Sequence, residues 1–140
     1  MGRYHLHPGA PTARSLGAIR AAIIDLDGTM MDTAPDFHVA VTRMRAEFGL
    51  DALGMPVVAG LIGKGPENMV RKTLAMGLDG DRAEACFEAA LVSYERHYAA
   101  VNGEHAKPYP QVRDGLEEMQ RKAIRMVCVT NKPTAMAGAL

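Results

Sequence analysis

The chain has 140 residues, 48% of them hydrophobic and 23% charged, and its 16 Lys and Arg balance 16 Asp and Glu to a formal net charge of zero. This is the composition of a globular protein, and it excludes a disordered, collagen-like or coiled-coil chain. With no Trp, three Phe, four Tyr and no basic block, the chain lacks the charged stripe and stacking platform of a nucleic-acid binder. No run approaches the roughly 18 apolar residues of a membrane span.

Residues 1–18 mix Gly and Pro with polar residues and show no periodicity, so they are expected to form a flexible N-terminal arm. Arg3 has no apolar run behind it, so no secretory signal is expected, and His5 and His7 lack a third ligand nearby for a metal site. Ala21 to Ile24 is a short apolar run ending at Asp25, which predicts a strand buried on both faces of a parallel sheet. From Ala34 the pattern changes. Phe37, Val41, Met44 and Phe48 mark one face of a helix that stops at Gly49.

Gly60 to Gly65 reads as a glycine-rich loop, and Pro66 suits the first turn of a helix that runs to Met76 and ends at Gly77. Asp79 or Asp81 can cap a third helix, Arg82 to Ala100, with Phe87, Leu91, Tyr94 and Tyr98 on one stripe. No strand pattern separates these helices. Lys107-Pro108-Tyr109-Pro110 then forces an extended crossing, because each proline fixes its own φ and pushes its predecessor out of the α region. Val112 to Lys122 reads as a helix, Ile124 to Val129 as a second buried strand, and Pro133 as the start of a further helix. Cys86 and Cys128 form no Cys-x-x-Cys pattern; they are expected to be buried thiols of a protein in a reducing cytoplasm.

The chemistry concentrates at the ends of the two predicted strands. Asp25-Leu26-Asp27-Gly28-Thr29 places two carboxylates and a glycine turn where open α/β sheets bind ligands. One carboxylate can serve as nucleophile and the other in proton transfer. An ordinary Asp-Gly turn is the competing reading. A calcium loop is excluded, since it wants glycine at its sixth position between helices, whereas Gly28 is fourth and follows a strand. At the second strand end, the Thr130 hydroxyl and backbone N–H groups at the start of the next helix can hold a phosphate oxygen, although Thr or Asn before Pro133 also looks like a plain helix cap.

Taken together, Asp25-Leu-Asp27-Gly-Thr29 and Val129-Thr130-Asn131-Lys132-Pro133, with a helical insert after the first, resemble the haloacid dehalogenase-like hydrolases with a helical cap. Gly60-Leu-Ile-Gly63-Lys64-Gly65, His97 to Gly103 and Tyr109-Pro110 look like the phosphoglycolate phosphatase branch of that family. The resemblance runs from Ile19 to Leu140. It implies an α/β, doubly wound (Rossmann-like) parallel-sheet core from residues 19–32 plus 106–140, with an inserted α-helical cap of residues 33–105. It also implies a phosphatase acting on a small phosphate monoester, phosphoglycolate, through an aspartyl-phosphate.

By the same resemblance Asp25 is the nucleophile, Asp27 the acid and base, and Thr130 and Asn131 hold the phosphoryl group. A Mg²⁺ on Asp25 and on the backbone carbonyl of Asp27 offsets the repulsion between carboxylate and phosphate. Lys64 either meets the substrate's carboxylate or is a plain surface lysine. The expected partner is a small phosphorylated molecule, with neither nucleic acid nor membrane.

Gln111 stands where the family commonly has glycine. The family's third motif, a lysine, and its fourth, a pair of acidic metal ligands, have no counterpart in these 140 residues. The core is therefore expected to be incomplete and the chain weakly active or inactive. The alternatives are a non-catalytic fragment or phosphate-binding module, or a phosphatase or phosphomutase of the same family with a different sugar phosphate.

Overall fold

The computed structural model describes residues 19–140, so the expected N-terminal arm and its two histidines lie outside the described residues. The first strand, β1 (Ala21–Ile24), pairs in parallel with the last, β4 (Arg125–Cys128), with Ala21 opposite Arg125 and Ile24 opposite Cys128. Between them the chain forms β2 (Met31–Asp32), α1 (Ala34–Glu47), α2 (Met55–Ala59), α3 (Pro66–Leu74), α4 (Gly80–Val101), β3 (Lys107–Pro108) and α5 (Val112–Arg121). A single turn of helix, α6 (Thr134–Ala137), follows β4. Among the described residues no helix is long and apolar enough to cross a membrane.

The helices form where apolar spacing and end signals agree. α1 has Pro35 in its first turn and ends before Gly49, which takes the left-handed φ of 69°. α4 is capped by the Asp79 side chain, which accepts from the Arg82 amide at 2.9 Å. α3 stops at Leu74, two residues earlier than the spacing predicts, because residues 75–77 tighten into a turn with the Gly77 amide on the Leu74 carbonyl at 3.1 Å. α2 carries no periodic signal, since five residues are too few to show one.

The apolar core lies among these four helices. Ala40, Val41 and Met44 of α1, Val58 of α2, Met69, Val70 and Leu74 of α3, and Phe87, Tyr94 and Tyr98 of α4 are all buried together. α1 and α4 are further tied by Glu47, which accepts from Ser93 Oγ at 2.6 Å and faces Arg96 and His97. The Ser93 and His97 hydrogen bonds, helped by Arg96, hold its carboxyl down at about 2 against a slight opposing effect of burial.

The strands differ from expectation. β1 and β4 were expected to be buried on both faces, yet Ile23 is 76%, Val127 52% and Val129 57% exposed, and Cys128 is exposed as well. The reason is that α1 to α4 spend their apolar faces on one another. A parallel strand is buried only when helices cover both sides of its sheet, and among the described residues α5 is the helix that packs on β4. Cys86, half-buried, is nearer its expected state.

Two short crossings connect the helices to the parallel pair. β2 and β3 are antiparallel, with Met31 opposite Pro108 and Asp32 opposite Lys107, and the Tyr109 amide donates to the Met30 carbonyl at 3.0 Å. Asp36, fully buried in the first turn of α1, accepts from the Gly103 amide at 2.8 Å and the His105 amide at 2.9 Å. One carboxylate thus ties the entry of the helical segment to its exit.

The residue before α5 explains the family's glycine. Gln111 sits at φ 68°, a left-handed conformation that costs a non-glycine residue about 1 kcal/mol or more. Gln111→Gly is therefore expected to raise stability by about 0.5–1 kcal/mol, the relief of strain outweighing the added freedom of the unfolded chain. Urea unfolding checks this, and a loss of stability would contradict the strain.

Candidate active site

The site begins with a turn that the sequence at the end of β1 dictates. The amides of Thr29, Met30 and Met31 all converge on the Leu26 carbonyl, at 3.3, 2.9 and 2.9 Å, and the Gly28 amide returns a bond to the Met31 carbonyl at 2.8 Å. Gly28 holds φ 76°, which is open to glycine and costly for other residues. This folding-back leaves Asp25 and Asp27 on one cavity, while the Asp25 carboxylate accepts from the Leu26 amide at 2.8 Å.

That cavity, of about 240 Å³, lies between the parallel strands and the helices. Thr130, Asn131 and Lys132, from the loop after β4, line it beside the two aspartates. Its other walls are Phe37 of α1, Leu61, Ile62, Gly63 and Gly65 of the glycine-rich loop, and Tyr94, Glu95 and Tyr98 of α4. Four of the five residues expected at a site are therefore together. Lys64 is exposed and outside the lining, although Gly63 and Gly65 on either side of it are part of the wall.

The expected phosphate ligands are already engaged. Thr130 Oγ1 accepts from the Lys132 amide at 3.2 Å, which leaves its own hydroxyl proton available to donate. The Asn131 side-chain amide donates to the Gly63 carbonyl at 2.8 Å. Through that bond the helical segment closes over the strand ends. The amide of Asn131 is equally a donor to an anion, so the contact with Gly63 and a contact with ligand draw on the same group.

Lys132 is the residue that the sequence reading passed over. Its side chain is 1% exposed, and its ammonium donates to Asp27 Oδ1 at 3.1 Å and to the Tyr98 hydroxyl. The ammonium also sits 4.9 Å from the Phe37 ring centre and 4.7 Å from that of Tyr98, within reach of both aromatic faces. Phe37, Tyr98 and Tyr94 stack in turn, with centres 4.7 and 5.8 Å apart. The signal was present as a lysine lodged between Asn131 and Pro133, but nothing in the spacing says that a lysine there turns inward.

Electrostatics follow from this burial. Loss of hydration pushes the Lys132 ammonium below the usual lysine range, and Asp27 opposes that shift. The same burial, reinforced by Asp27, drives the Tyr98 hydroxyl far up, so it is a neutral group at any ordinary pH. Asp27, with its side chain 8% exposed, thus has one cation beside it and no competing phenolate.

Comparison with known proteins places this geometry in a family. The model of the haloacid dehalogenase-like hydrolases matches residues 19–140. A phosphoglycolate phosphatase of Cupriavidus necator is 44% identical over 117 residues, covering 84% of this chain and 50% of that protein. Another, from Nitrosospira multiformis, is 39% identical over 117 residues, covering 84% of this chain and 52% of its own. The chain thus spans about half the length of the curated relatives it matches. Among solved structures, a haloacid dehalogenase-like family hydrolase from Streptococcus pneumoniae superposes with a TM-score of 0.71 at 28% identity, covering 86% of this chain and 53% of that one. A predicted phosphoglycolate phosphatase from Haemophilus somnus shares the fold with a TM-score of 0.73 at 22% identity, covering 84% and 53% of the two chains. With the family match running from the first described residue to Leu140, the chain belongs to the haloacid dehalogenase-like hydrolases.

Proposed function

We propose that this site is that of a phosphomonoesterase whose substrate is phosphoglycolate or a close relative. The observation that carries the reading is the meeting of Asp25, Asp27, Thr130 and Asn131 on one cavity, although the chain separates the two pairs by a hundred residues. The relatives' names give the substrate class. In this reading residues 33–105 are a cap on a core formed by residues 19–32 and 106–140, and the bond from Asn131 to Gly63 is the closed cap resting on that core.

The chemistry can be written with its atoms balanced. An Asp25 carboxylate oxygen attacks phosphorus, the bond from phosphorus to the ester oxygen breaks, and Asp27 gives its proton to the departing alkoxide. Asp27 then takes a proton from water, the resulting hydroxide oxygen bonds to phosphorus, and the bond to Asp25 breaks to release inorganic phosphate. Thr130 and Asn131 donate to the non-bridging oxygens throughout. The Asp25 carboxylate and the Asp27 backbone carbonyl are hard oxygen donors, few in number, which suits Mg²⁺, a cation that keeps several waters and takes substrate oxygens. When bound, Mg²⁺ supplies the positive charge that lets a carboxylate approach a phosphate.

Among the described residues no cluster of three or more His, Cys, Asp or Glu is arranged to hold a metal. Slow turnover by a polypeptide of these 140 residues belongs to the proposal, because the lysine and acidic motifs that the resemblance implies have no counterpart in it. Cys86 and Cys128 are both free thiols, the state maintained by a reducing compartment, so a cytoplasmic setting belongs to the proposal.

Asp25→Asn tests it. Phosphate release from 2-phosphoglycolate, followed with enzyme and substrate at equal concentration, is expected to need Mg²⁺ and to fall by about 10³-fold or more in the variant, since the amide is no nucleophile. Release that survives Asp25→Asn unchanged would remove Asp25 from the reaction and with it the proposal.

A further inference from the structure

We infer that Lys132 is the residue that selects the substrate, anchoring a second anionic group on the alcohol portion of the phosphate ester. This rests on the phosphomonoesterase reading above and extends it to a specificity determinant. An ammonium has three N–H donors. At Lys132 two of them have acceptors, Asp27 Oδ1 and the Tyr98 hydroxyl, and the third has none among the described residues. The group is nonetheless almost completely buried and lines the cavity. A buried cation with an unused donor is costly to keep, and an anionic ligand in the cavity would complete it.

Its position assigns it to the alcohol portion and not to the transferred phosphoryl group. Asp25 is the atom donor to phosphorus, whereas Asp27 faces the leaving oxygen, and it is Asp27 that Lys132 touches, at 3.1 Å. Its remaining neighbours, Phe37 and Tyr98, belong to α1 and α4 on the helical side of the cavity. In phosphoglycolate the carboxylate is separated from the ester oxygen by one carbon, so its oxygens lie about 3 Å from the atom that Asp27 protonates. That distance brings them within reach of the Lys132 ammonium.

Among the described residues lining the cavity, Lys132 is the sole lysine or arginine. The remaining cap-side charge is Glu95, which is exposed and repels an anion. Lys64, the sequence candidate for the same task, is outside the lining. Esters of neutral alcohols leave the third donor of Lys132 unpaired, so the cavity discriminates against them.

The test uses non-hydrolysable probes, so it does not depend on turnover. Calorimetric titration of the chain with 3-phosphonopropionate, which keeps the carboxylate, is compared with 3-hydroxypropylphosphonate, which replaces it by an alcohol. The carboxylate probe is expected to bind about 10-fold or more tightly, the worth of one charge-assisted hydrogen bond. Lys132→Met should lower the ratio of the two affinities to about 2-fold or less, whatever it does to both probes in common, and Lys132→Arg should restore part of the ratio.

Equal binding of the two probes to the unsubstituted chain would overturn the inference, even if Lys132→Met failed to fold. Equal weakening of both probes in a folded Lys132→Met would do the same, by reducing Lys132 to a support for Asp27. In either case the phosphomonoesterase reading stands. Binding of neither probe at millimolar concentration would overturn that reading and the anchor together.

Discussion

Replacing Arg45 with methionine is expected to cost the helical segment about 3 kcal/mol or more, the largest stability effect that the structure assigns to one side chain outside the cavity. Arg45 is 2% exposed, at the end of α1. Its Nε donates to the Asp51 carbonyl at 2.7 Å, one terminal nitrogen to the Thr73 carbonyl, and the other to the Met76 carbonyl at 3.4 Å. Burial pushes the guanidinium down from its usual range and Asp51 opposes this, but a guanidinium remains charged in any case.

The three carbonyls belong to two separate pieces of chain. Asp51 lies in the segment after α1, and Thr73 and Met76 lie at the C-terminal end of α3, where a cation also meets the negative end of the helix dipole. Methionine fills similar volume and supplies no donor, so at least the Thr73 and Asp51 carbonyls lose their partner. Lysine keeps the charge but cannot fork, and Arg45→Lys should recover less than half of the loss. Urea unfolding followed by far-ultraviolet circular dichroism measures both. A change below about 1 kcal/mol for Arg45→Met would show that water replaces the arginine.

The same region shows why some of the fold could be read from the sequence and some could not. The helices α1 and α4 were legible because their apolar spacing, a Gly49 stop and an Asp79 cap all agree on the same limits. Arg45 was not legible, because an arginine on an otherwise amphipathic helix reads as solvated, and its carbonyl partners come from distant segments. Gly77 leaves room beside it, since a Cβ there would meet Leu50 Cδ2 at 2.9 Å and an Arg45 terminal nitrogen at 3.4 Å. The burial of β1 and β4 was misread for a related reason. An apolar run reports what a strand is able to bury and carries no information on whether a helix covers it.

The site divides in the same manner. Asp25, Asp27, Thr130 and Asn131 could be found because they follow strand ends, a position at which a local pattern fixes where the residue sits. Lys132 and Tyr98 meet across 34 residues of sequence through the packing of α4 against the last loop. No local pattern encodes such a meeting. Lys64 shows the converse, since a glycine on each side with φ 93° and 84° lets the loop turn with its backbone toward the cavity and the lysine outside it.

On the proposed mechanism, with Asp25 as nucleophile and Asp27 as acid and base, Asp27→Asn is expected to separate the two halves of the reaction. For an alkyl phosphate the departing alkoxide needs a proton, so the rate of phosphoryl transfer to Asp25 should fall by about 10²–10⁴-fold. For p-nitrophenyl phosphate the anion leaves without one, and the same step should be nearly intact. Asp27 is still required as the base that activates water, so the variant should release up to one equivalent of p-nitrophenolate per site and then stall. A loss that is equal for both esters would exclude Asp27 as the acid.

The substitution has a second consequence, because Asp27 is the carboxylate beside a buried ammonium at 3.1 Å. Asparagine takes the neutralising carboxylate away from an ammonium whose side chain is 1% exposed, and stability should fall by about 2–3 kcal/mol. Adding Lys132→Met removes the charge that was stranded, so the double variant should be more stable than Asp27→Asn alone, a coupling that independent sites would not show. If the double variant is instead less stable than either single one, Lys132 is held by the Phe37 and Tyr98 rings and not by its ion pair. The burst expected with p-nitrophenyl phosphate does not depend on that balance. It is the signature that distinguishes a lost proton donor from a loosened fold.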